Sequence, residues 1–266
     1  MTRPGIDIRD LTVRFATPNG DDIVAVDGVT RTVDQHRFVS IVGPSGCGKS
    51  TLLNTVAGLQ PATSGSVAID GVPVTGPDRK VGMVFQEEST LPWKTVAENV
   101  AFGMRILGVD KATARTRTAE VIDLVGLNGF EQVYPATLSG GMRQRVALAR
   151  TLAQQPSVVL MDEPFAALDQ QTRLLLGAEV RRIWRQTHQT VLFVTHDLSE
   201  ALLMSQEVWV MSYRPGRVID VVEVDLPDDR DASAVSTPHF NALQNRIWGS
   251  LQEEAMRGFV AESRAT

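Results

Sequence analysis

Short apolar runs alternate with segments of helical period along most of the chain. The runs are rich in Val, Ile and Phe and have the length of buried strands; they cover residues 38–42, 81–85, 158–161 and 191–195. Apolar residues recur at helical spacing in five further segments, residues 50–58, 96–107, 111–125, 142–154 and 171–187. Strands that alternate with helices predict an α/β fold with a largely parallel central sheet.

Two parts of the chain depart from this alternation and predict subdomains. The block from about residue 87 to 154 is helical throughout, which predicts an inserted α-helical subdomain. Residues 6–15, and residues 67–69 before the turn Asp70-Gly71, predict an N-terminal antiparallel β subdomain. A strand is predicted at residues 218–224, near the end of a first domain over residues 1–225. After this domain we expect a C-terminal extension over 226–266, with an acidic loop at 227–231 and a surface helix at 238–256.

Composition and charge narrow the class of protein. The 266 residues are 43% hydrophobic and 21% charged, which is typical of a soluble globular chain. The net charge of −5 argues weakly against a general nucleic-acid surface, because phosphate backbones are bound by clustered positive charge, but it leaves a local basic patch open. No apolar run reaches the length of a membrane span, and residues 1–10 lack the apolar run of a signal peptide, so we expect a cytosolic chain. The single cysteine, Cys47, excludes an intrachain disulfide and a cysteine-based zinc cage.

The strongest local motif is a glycine-rich loop at residues 43–50, here called the phosphate loop. Its sequence, GPSGCGKS, fits G-x-x-x-x-G-K-[ST] and lies between a predicted strand and a predicted helix, the context this motif requires. Backbone N–H groups of such a loop cradle phosphates, and the helix dipole adds to the attraction. We expect Lys49 to reach the β- and γ-phosphates, Ser50 to bind Mg²⁺ and Thr51 to contact the α-phosphate. The remaining candidate nucleotide-binding residues of the loop are Gly43, Ser45, Gly46, Cys47 and Gly48. The alternative is a glycine-rich turn without a ligand.

Two carboxylates follow the apolar run at residues 158–161. Asp162 and Glu163 are predicted at the carboxyl end of the sheet, the edge at which α/β sheets bind ligands. Asp162 suits a Mg²⁺ shell, and Glu163 could polarise a water for attack on the γ-phosphate. The alternative is a solvated acidic turn.

A second small-residue loop, at residues 138–142, precedes the helix predicted from residue 142. We call it the signature loop; Ser139 is a candidate helix cap, and Gly140 and Gly141 leave room for an anion. This segment resembles the signature motif of the ABC transporter ATPases, and the resemblance extends over nearly the whole chain.

Further motifs occur in the family's order. Gln86 resembles the Q-loop glutamine, which implies a role in catalysis and in Mg²⁺ binding. Ala167-Leu168-Asp169 resembles the D-loop and places Asp169 near the nucleotide, while His196 resembles the switch histidine. Phe15 stands where the family has an aromatic residue that stacks on adenine. The resemblance implies a P-loop NTPase core whose cofactors are ATP and Mg²⁺.

Some positions depart from the commonest family pattern. Met142 replaces the usual glutamine of the signature, and Phe15 replaces the usual tyrosine, but neither change removes a phosphate-binding N–H group. The segments 91–93 (LPW) and 214–217 (RPGR) further resemble the importer branch for nitrate, taurine and alkanesulfonates. Trp93 has two open interpretations, packing in the helical subdomain or lining a groove that receives a membrane partner.

The resemblance implies the motor subunit of an importer. It implies a head-to-tail homodimer with two ATP at its interface, bound to transmembrane permease subunits at the cytoplasmic face of the membrane and acting indirectly with a substrate-binding protein. The region from residue 86 to 101 would transmit motion to the permease. A soluble ABC-type ATPase acting on nucleic acid or ribosomes, and a small-molecule kinase, are the alternatives. The chain lacks the duplicated ATPase units and zinc cysteines common in the former, and a kinase would not need the signature loop.

The position of Cys47 also predicts its ionisation. A helix N-terminus and the neighbouring Lys49 both favour a thiolate, so we expect a pKa below that of a free cysteine and raised reactivity, an effect that burial would oppose. For normal function the favoured interpretation is a small space-filling residue, because the backbone binds the phosphate there.

Overall fold

The structure of the protein, a computed structural model, describes residues 3–17, 22–86, 89–166 and 168–263. In chain order, the strands within these ranges are β1 (Pro4–Ala16), β2 (Asp22–Asp34), β3 (Phe38–Val42), β4 (Ser64–Ile69), β5 (Val72–Pro73), β6 (Val81–Val84), β7 (Val158–Asp162), β8 (Thr190–Val194), β9 (Glu207–Met211) and β10 (Val218–Glu223). The helices are α1 (Lys49–Val56), α2 (Val96–Ile106), α3 (Lys111–Leu124), α4 (Gly140–Ala153), α5 (Gln170–Thr187), α6 (Leu198–Met204) and α7 (Pro238–Ser263). The chain divides into two compact units, the first formed by Met1–Asp78 with Thr187–Thr266 and the second by Arg79–Gln186.

The first unit contains an antiparallel sheet in the strand order β2-β1-β4-β5. Apolar side chains of β1 such as Ile6, Ile8 and Leu11 are fully buried. At the turn between β4 and β5, Asp70 and Gly71 both have positive φ, 50° and 78°, as a tight hairpin requires. This sheet is the predicted N-terminal β subdomain.

The first unit also contains strands in the order β10-β9-β3-β8. Strand β3 runs parallel to both β8 and β9, whereas β10 is antiparallel to β9. Every residue of β3 and β8 is buried, which explains why both strands are almost entirely apolar in the sequence, Ser40 and Thr190 being the polar exceptions.

Helix α7 belongs to the core of the first unit along one face. Phe240, Leu243, Ile247 and Leu251 recur at intervals of three or four residues and pack into one buried cluster. The other members of that cluster come from β3, α6, β9, β10 and the loop after β10; they are Val42, Ala201, Leu202, Val208, Val210, Val222, Val224 and Leu226. The helix predicted at residues 238–256 therefore exposes only part of its surface.

The second unit joins the parallel pair β6 and β7 to helices α2, α3 and α4 and nearly all of α5. Thr95 and Glu98 form a reciprocal capping box at the start of α2, and Asp110 caps α3. Parallel strands, an N-terminal antiparallel sheet and an inserted group of helices confirm the predicted fold class. The hydrophobic pattern did not predict β2, β5, β9 or α6.

In the described ranges, no helix has both the length and the apolar character needed to cross a membrane.

Candidate functional site

The phosphate loop lies between β3 and α1, as predicted. Gly46 and Gly48 have φ values of 68° and 104°, in the left-handed region that side chains other than glycine rarely adopt. A Cβ atom at Gly48 would lie 2.4 Å from the Ala25 carbonyl oxygen, so this residue has neither the conformation nor the space for a side chain. Both glycines are therefore required for the curvature of the loop.

Helix α1 begins with uncapped N–H groups. Side chains of Thr95, Asp110, Ser139 and Asp197 cap α2, α3, α4 and α6, but no described side chain caps α1 at Gly48. The first N–H groups of α1 thus remain available at the loop, an arrangement suited to phosphate oxygens. The fit to a phosphate group rests on this uncapped N-terminus and on the glycine-only curvature.

Lys49 places its ammonium group inside the loop. Its Nζ donates to the carbonyl oxygens of Gly43 and Pro44, both at 2.9 Å, and the residue is only 6% exposed. These are neutral acceptors, so a phosphate group would compete for the ammonium through a stronger, charge-assisted hydrogen bond. Ser50 and Thr51 follow in the first turn of α1.

The expected ionisation of Cys47 is wrong. The thiol is buried, with 1% of the residue exposed, and burial raises its pKa above the ordinary value, because a thiolate loses its hydration there. The charge of Lys49 and hydrogen bonds from Lys49 lower the pKa, but by less than burial raises it. The sequence shows the neighbouring charge and the helix but not the burial.

Two other predicted residues lie in the first unit. Phe15, near the end of β1, is 40% exposed, so its ring is accessible for stacking. His196 lies two residues after the end of β8 and is exposed. The next residue, Asp197, accepts the N–H groups of Ser199 and Glu200 and so fixes the start of α6 beside the histidine. Sequence reasoning missed Asp197, although an acidic residue followed by Glu200 three positions later is a recognisable capping pattern.

In the second unit, Asp162 is the last residue of β7 and is buried, and Glu163 follows it. Glu163 has a φ of 44°, unusual for a residue with a side chain. Gln86 donates its amide N–H to the Glu163 carboxylate at 3.3 Å, so the predicted Q-loop residue and the predicted general base are in direct contact. The structure thus brings Gln86 and Glu163 together at the carboxyl ends of β6 and β7.

The signature loop overlaps the start of α4, which begins at Gly140, two residues before the predicted start. The Ser139 hydroxyl accepts the Met142 N–H at 3.3 Å and caps the helix, as predicted. A Cβ atom at Gly141 would lie 2.7 Å from the Leu168 side chain, so the loop packs tightly against the D-loop segment. Asp169 accepts the N–H and hydroxyl of Thr172, and these hydrogen bonds hold the pKa of Asp169 below its ordinary value. Ala167, the first residue of the predicted D-loop, lies outside the described residues.

The helices of the second unit also line an open cavity of about 870 Å³. Ala101 and Arg105 of α2, Lys111 and Arg115 of α3, and Tyr134 are among its lining residues. Glu98 is the acidic residue of the lining, so the cavity has a net positive charge. Trp93, just before α2, does not line this cavity, but it is 70% exposed, which contradicts the core-packing interpretation of its ring.

Comparison with known proteins assigns the family. The sequence profile of the family described as ABC transporter matches residues 26–166, more than half of the chain. The chain belongs to the ABC transporter family. Among its relatives are an uncharacterized ABC transporter ATP-binding protein of Methanocaldococcus jannaschii, 45% identical over 90% of this chain and 88% of the relative, and the taurine import ATP-binding protein TauB of Roseobacter denitrificans, 42% identical over 96% of this chain and 97% of the relative.

A solved ABC cassette has the same fold. A dimeric ATP-binding cassette in a post-hydrolysis state, bound to ADP and phosphate, matches with a TM-score of 0.76 and 30% identity, over 84% of this chain and all of that chain. The protein is thus an ABC ATP-binding subunit, an ATPase of the kind coupled to transport. The family resemblance inferred from the motifs is confirmed.

Proposed function

We propose that this ABC subunit drives an importer for a small anion such as nitrate, taurine or an alkanesulfonate. It works as a homodimer at the cytoplasmic face of the membrane, joined to two permease subunits and acting indirectly with a substrate-binding protein, without a role on nucleic acid. The observation that carries the proposal is the presence, in one chain, of two glycine loops at helix N-termini, of which only the phosphate loop contains a lysine. The likeness to taurine import proteins over nearly the full length supports the choice of cargo class.

The phosphate loop and α1 bind the phosphates of ATP. The N–H groups of Gly46, Cys47 and Gly48 point to the phosphates, with Lys49 on the β- and γ-phosphates. Phe15 stacks on the adenine. The remaining contacts in this proposal are with Gly43, Ser45, Ser50 and Thr51.

The donor set suits Mg²⁺, because a Ser50 hydroxyl, a buried Asp162 carboxylate and the Gln86 side-chain carbonyl are all hard oxygen ligands. Bound there with the nucleotide, Mg²⁺ would neutralise charge on the phosphates. Glu163 accepts a proton from the attacking water, while His196 donates a hydrogen bond to the γ-phosphate. Gln86, already hydrogen-bonded to Glu163, positions the carboxylate and the water.

The signature loop acts on the nucleotide of another copy. Ser139, Gly140 and Gly141 offer a second helix N-terminus. The loop contains no lysine, and the nearby Arg143 guanidinium donates to the Leu138 carbonyl, so the loop is suited to complete a phosphate site rather than to form one alone. A head-to-tail dimer then holds two ATP molecules, with Asp169 of the D-loop at the interface. Hydrolysis would separate the two copies.

The membrane partner docks on the second unit. The exposed Trp93 ring and the positive cavity beside α2 and α3 suit a short cytoplasmic segment of a permease with apolar and acidic side chains. This location agrees with the predicted role of residues 86–101 in passing motion to the permease.

Substitution of Glu163 tests the chemistry. Glu163→Gln keeps the size of the side chain but removes the proton acceptor, so hydrolysis should slow by about 10² or more with little change in ATP affinity. ATP should then trap a dimer, detectable by light scattering. Near-normal turnover would remove Glu163 from the role of general base.

Mixed dimers test the shared site. Ser139→Arg and Lys49→Ala should each abolish hydrolysis, the first without loss of nucleotide binding to the isolated copy. A mixed dimer of the two variants contains one intact combination of phosphate loop and signature loop, so mixing should recover part of the activity. Absence of recovery in demonstrated mixed dimers would contradict the head-to-tail arrangement.

Reconstitution tests the partner and the cargo. Trp93→Ala should weaken binding to permease-containing vesicles and leave the basal ATPase activity unchanged, whereas Trp248→Ala, which removes an exposed tryptophan of α7, should change neither. Binding to nucleic acid at physiological salt, without binding to such vesicles, would favour the alternative of an ATPase acting on nucleic acid. ADP formation that requires an acceptor molecule, with the phosphoryl group transferred to that acceptor, would favour a kinase, whereas phosphate release without an acceptor would exclude one.

A further inference from the structure

The loop between β9 and β10 supports the phosphate loop from outside. A Cβ atom at Gly216 would lie 2.1 Å from the Cys47 carbonyl oxygen, and one at Gly43 would lie 3.0 Å from the Met211 carbonyl oxygen. Backbone contact this close leaves no room for a side chain or for water. The phosphate loop therefore packs directly against the end of β9 and the β9–β10 loop.

Backbone hydrogen bonds fix this supporting loop to β2. Gly216 donates its N–H to Ala25, and Asp27 donates its N–H to Gly216, both at 3.0 Å. Ser212 closes the loop internally, because its hydroxyl accepts the Arg217 N–H and donates to the Pro215 carbonyl. The segment from Ser212 to Arg217 thus has little freedom to move away from the phosphate loop.

Arg214 is the side chain that reaches from this support to the phosphate loop. Its Nε donates to the Gly46 carbonyl at 2.7 Å, a hydrogen bond from a charged donor. The C=O of Gly46 and the N–H of Cys47 belong to one planar trans peptide and point in opposite directions. Holding the carbonyl outward therefore turns the Cys47 N–H into the loop, where its bond to the Pro44 carbonyl is long, 3.4 Å.

Helix α7 sets the position of Arg214. The Glu254 carboxylate, in a residue only 7% exposed, accepts the Tyr213 N–H at 2.8 Å. One turn further on, a Cβ atom at Gly258 would lie 2.9 Å from the Tyr213 ring, so the helix backbone packs directly on that ring. The residue before Arg214 is thus held by α7 from two sides.

We propose that Arg214 is a positioning residue for nucleotide binding, which orients the phosphate loop through Gly46, and that Glu254 of α7 holds Arg214 in place through Tyr213. The inference depends on ATP binding at the phosphate loop and not on the identity of the cargo or the permease. It gives the C-terminal helix a part in the ATPase reaction.

Steady-state kinetics of the full chain test the role of Arg214. Arg214→Ala should raise KM for ATP about tenfold, the size expected for loss of one hydrogen bond from a charged donor, with kcat within about twofold. Arg214→Lys should recover part of the affinity, because an ammonium can still donate to the Gly46 carbonyl. The matched control is Arg217→Ala, since Arg217 is exposed in the same loop but pairs with Asp27 instead of the phosphate loop; its KM should be unchanged.

The thiol of Cys47 gives a second readout, which a loss of global stability would not reproduce. In the nucleotide-free protein, Arg214→Ala should raise the rate of Cys47 labelling several-fold at unchanged Tm, because a loosened loop opens locally. An unchanged KM and labelling rate in Arg214→Ala, or equal effects in Arg217→Ala, would overturn the proposal.

A pair of substitutions at Glu254 tests the link to α7. Glu254→Gln keeps an oxygen that can accept the Tyr213 N–H and should retain the normal KM. Glu254→Leu removes the acceptor and should raise KM and Cys47 labelling as Arg214→Ala does, and the double variant should show no further increase, because both act through one contact. Arg257→Ala removes only the ion-pair partner of Glu254 and should leave KM unchanged. Additive effects of Glu254→Leu and Arg214→Ala, or a normal KM in Glu254→Leu, would show that α7 does not act through Arg214.

Discussion

Cys47 and Lys49 show how the surroundings of a side chain decide its chemistry. Both lie at the N-terminus of α1, where the dipole and the ammonium charge favour a thiolate. The thiol is nevertheless enclosed by the loop, and the pKa of Cys47 is raised because the cost of burying a charge exceeds both attractions. The residue fills space beneath the loop in its neutral form.

Labelling of Cys47 should therefore be slow. A raised pKa leaves less thiolate near neutral pH than in a free cysteine, so maleimide should react more slowly with the native protein than with the urea-unfolded chain at pH 7 to 8. The rate should continue to rise with pH beyond the pKa of an ordinary thiol, where the labelling rate of a free cysteine levels off. Protein that has been labelled should no longer bind ATP, which equilibrium dialysis would show. Faster labelling of the native protein than of the unfolded chain would contradict the burial of this thiol.

At the scale of single elements, capping side chains determine where helices begin. Thr95 accepts the N–H of Glu98 and Glu98 accepts the N–H of Thr95, which satisfies two N–H groups at the start of α2. The helix begins at Val96, the first residue of the segment that the sequence predicts as helical. The cap thus sets the start of a helix that lines the positive cavity.

Removal of this cap should destabilise the protein by a predictable amount. Thr95→Ala should lower the free energy of unfolding by about 1 kcal/mol, since the hydroxyl that accepts the Glu98 N–H is lost. Urea denaturation followed by circular dichroism would measure it. Thr95→Ser, which retains the hydroxyl, is the matched control and should cost clearly less. Equal losses in both variants would assign the effect to the buried methyl group instead.

The sequence predicts well those elements whose apolar pattern or capping residues lie within the element or directly beside it. Strand β3 is entirely buried and flanked by a glycine loop, and helix α3 has an aspartate cap before its first turn. Strand β9 was not identified, although it pairs with β3 and its last four residues, VWVM, are buried. This apolar run is as long as the one recognised at residues 158–161, so the strand could have been found from the sequence. The motif residues of the site were also found from the sequence, because each motif is a short contiguous segment. The Gln86–Glu163 contact, the pKa of Cys47 and the exposure of Trp93 depend on residues distant in sequence, so no local pattern could reveal them.

On the scale of the whole molecule, the core of the first unit unites distant parts of the chain. Val42 comes directly before the phosphate loop in the sequence, yet it shares one apolar cluster with Phe240 and Ile247 of α7. Arg230 holds the segment between β10 and α7 in place, because its buried guanidinium donates to backbone carbonyls that include those of Leu202 and Leu226. The C-terminal helix is consequently part of the unit that contains the phosphate loop.

Truncation of a buried side chain in α7 should therefore destabilise the first unit as a core mutation would. Ile247→Ala should lower the free energy of unfolding by about 2 to 5 kcal/mol, because Ile247 is fully buried. Trp248→Ala, on the adjacent exposed position, is the control, and its effect should stay within about 0.5 kcal/mol. Thermal denaturation followed by circular dichroism distinguishes the two. A small effect of Ile247→Ala would show that α7 does not share the core.

Glu163 has a φ of 44°, a backbone conformation that is unfavourable for a residue with a side chain. A left-handed residue with a side chain costs about 1 to 2 kcal/mol, and glycine relieves this at the expense of about 0.5 to 1 kcal/mol of extra freedom in the unfolded chain. Glu163→Gly should thus raise the free energy of unfolding by up to about 1.5 kcal/mol and abolish hydrolysis, whereas Glu163→Gln should lose activity without gaining stability. Selection for catalysis would then maintain a residue that selection for stability alone would discard, so mutants recovered for thermal tolerance should include inactive proteins altered at this position.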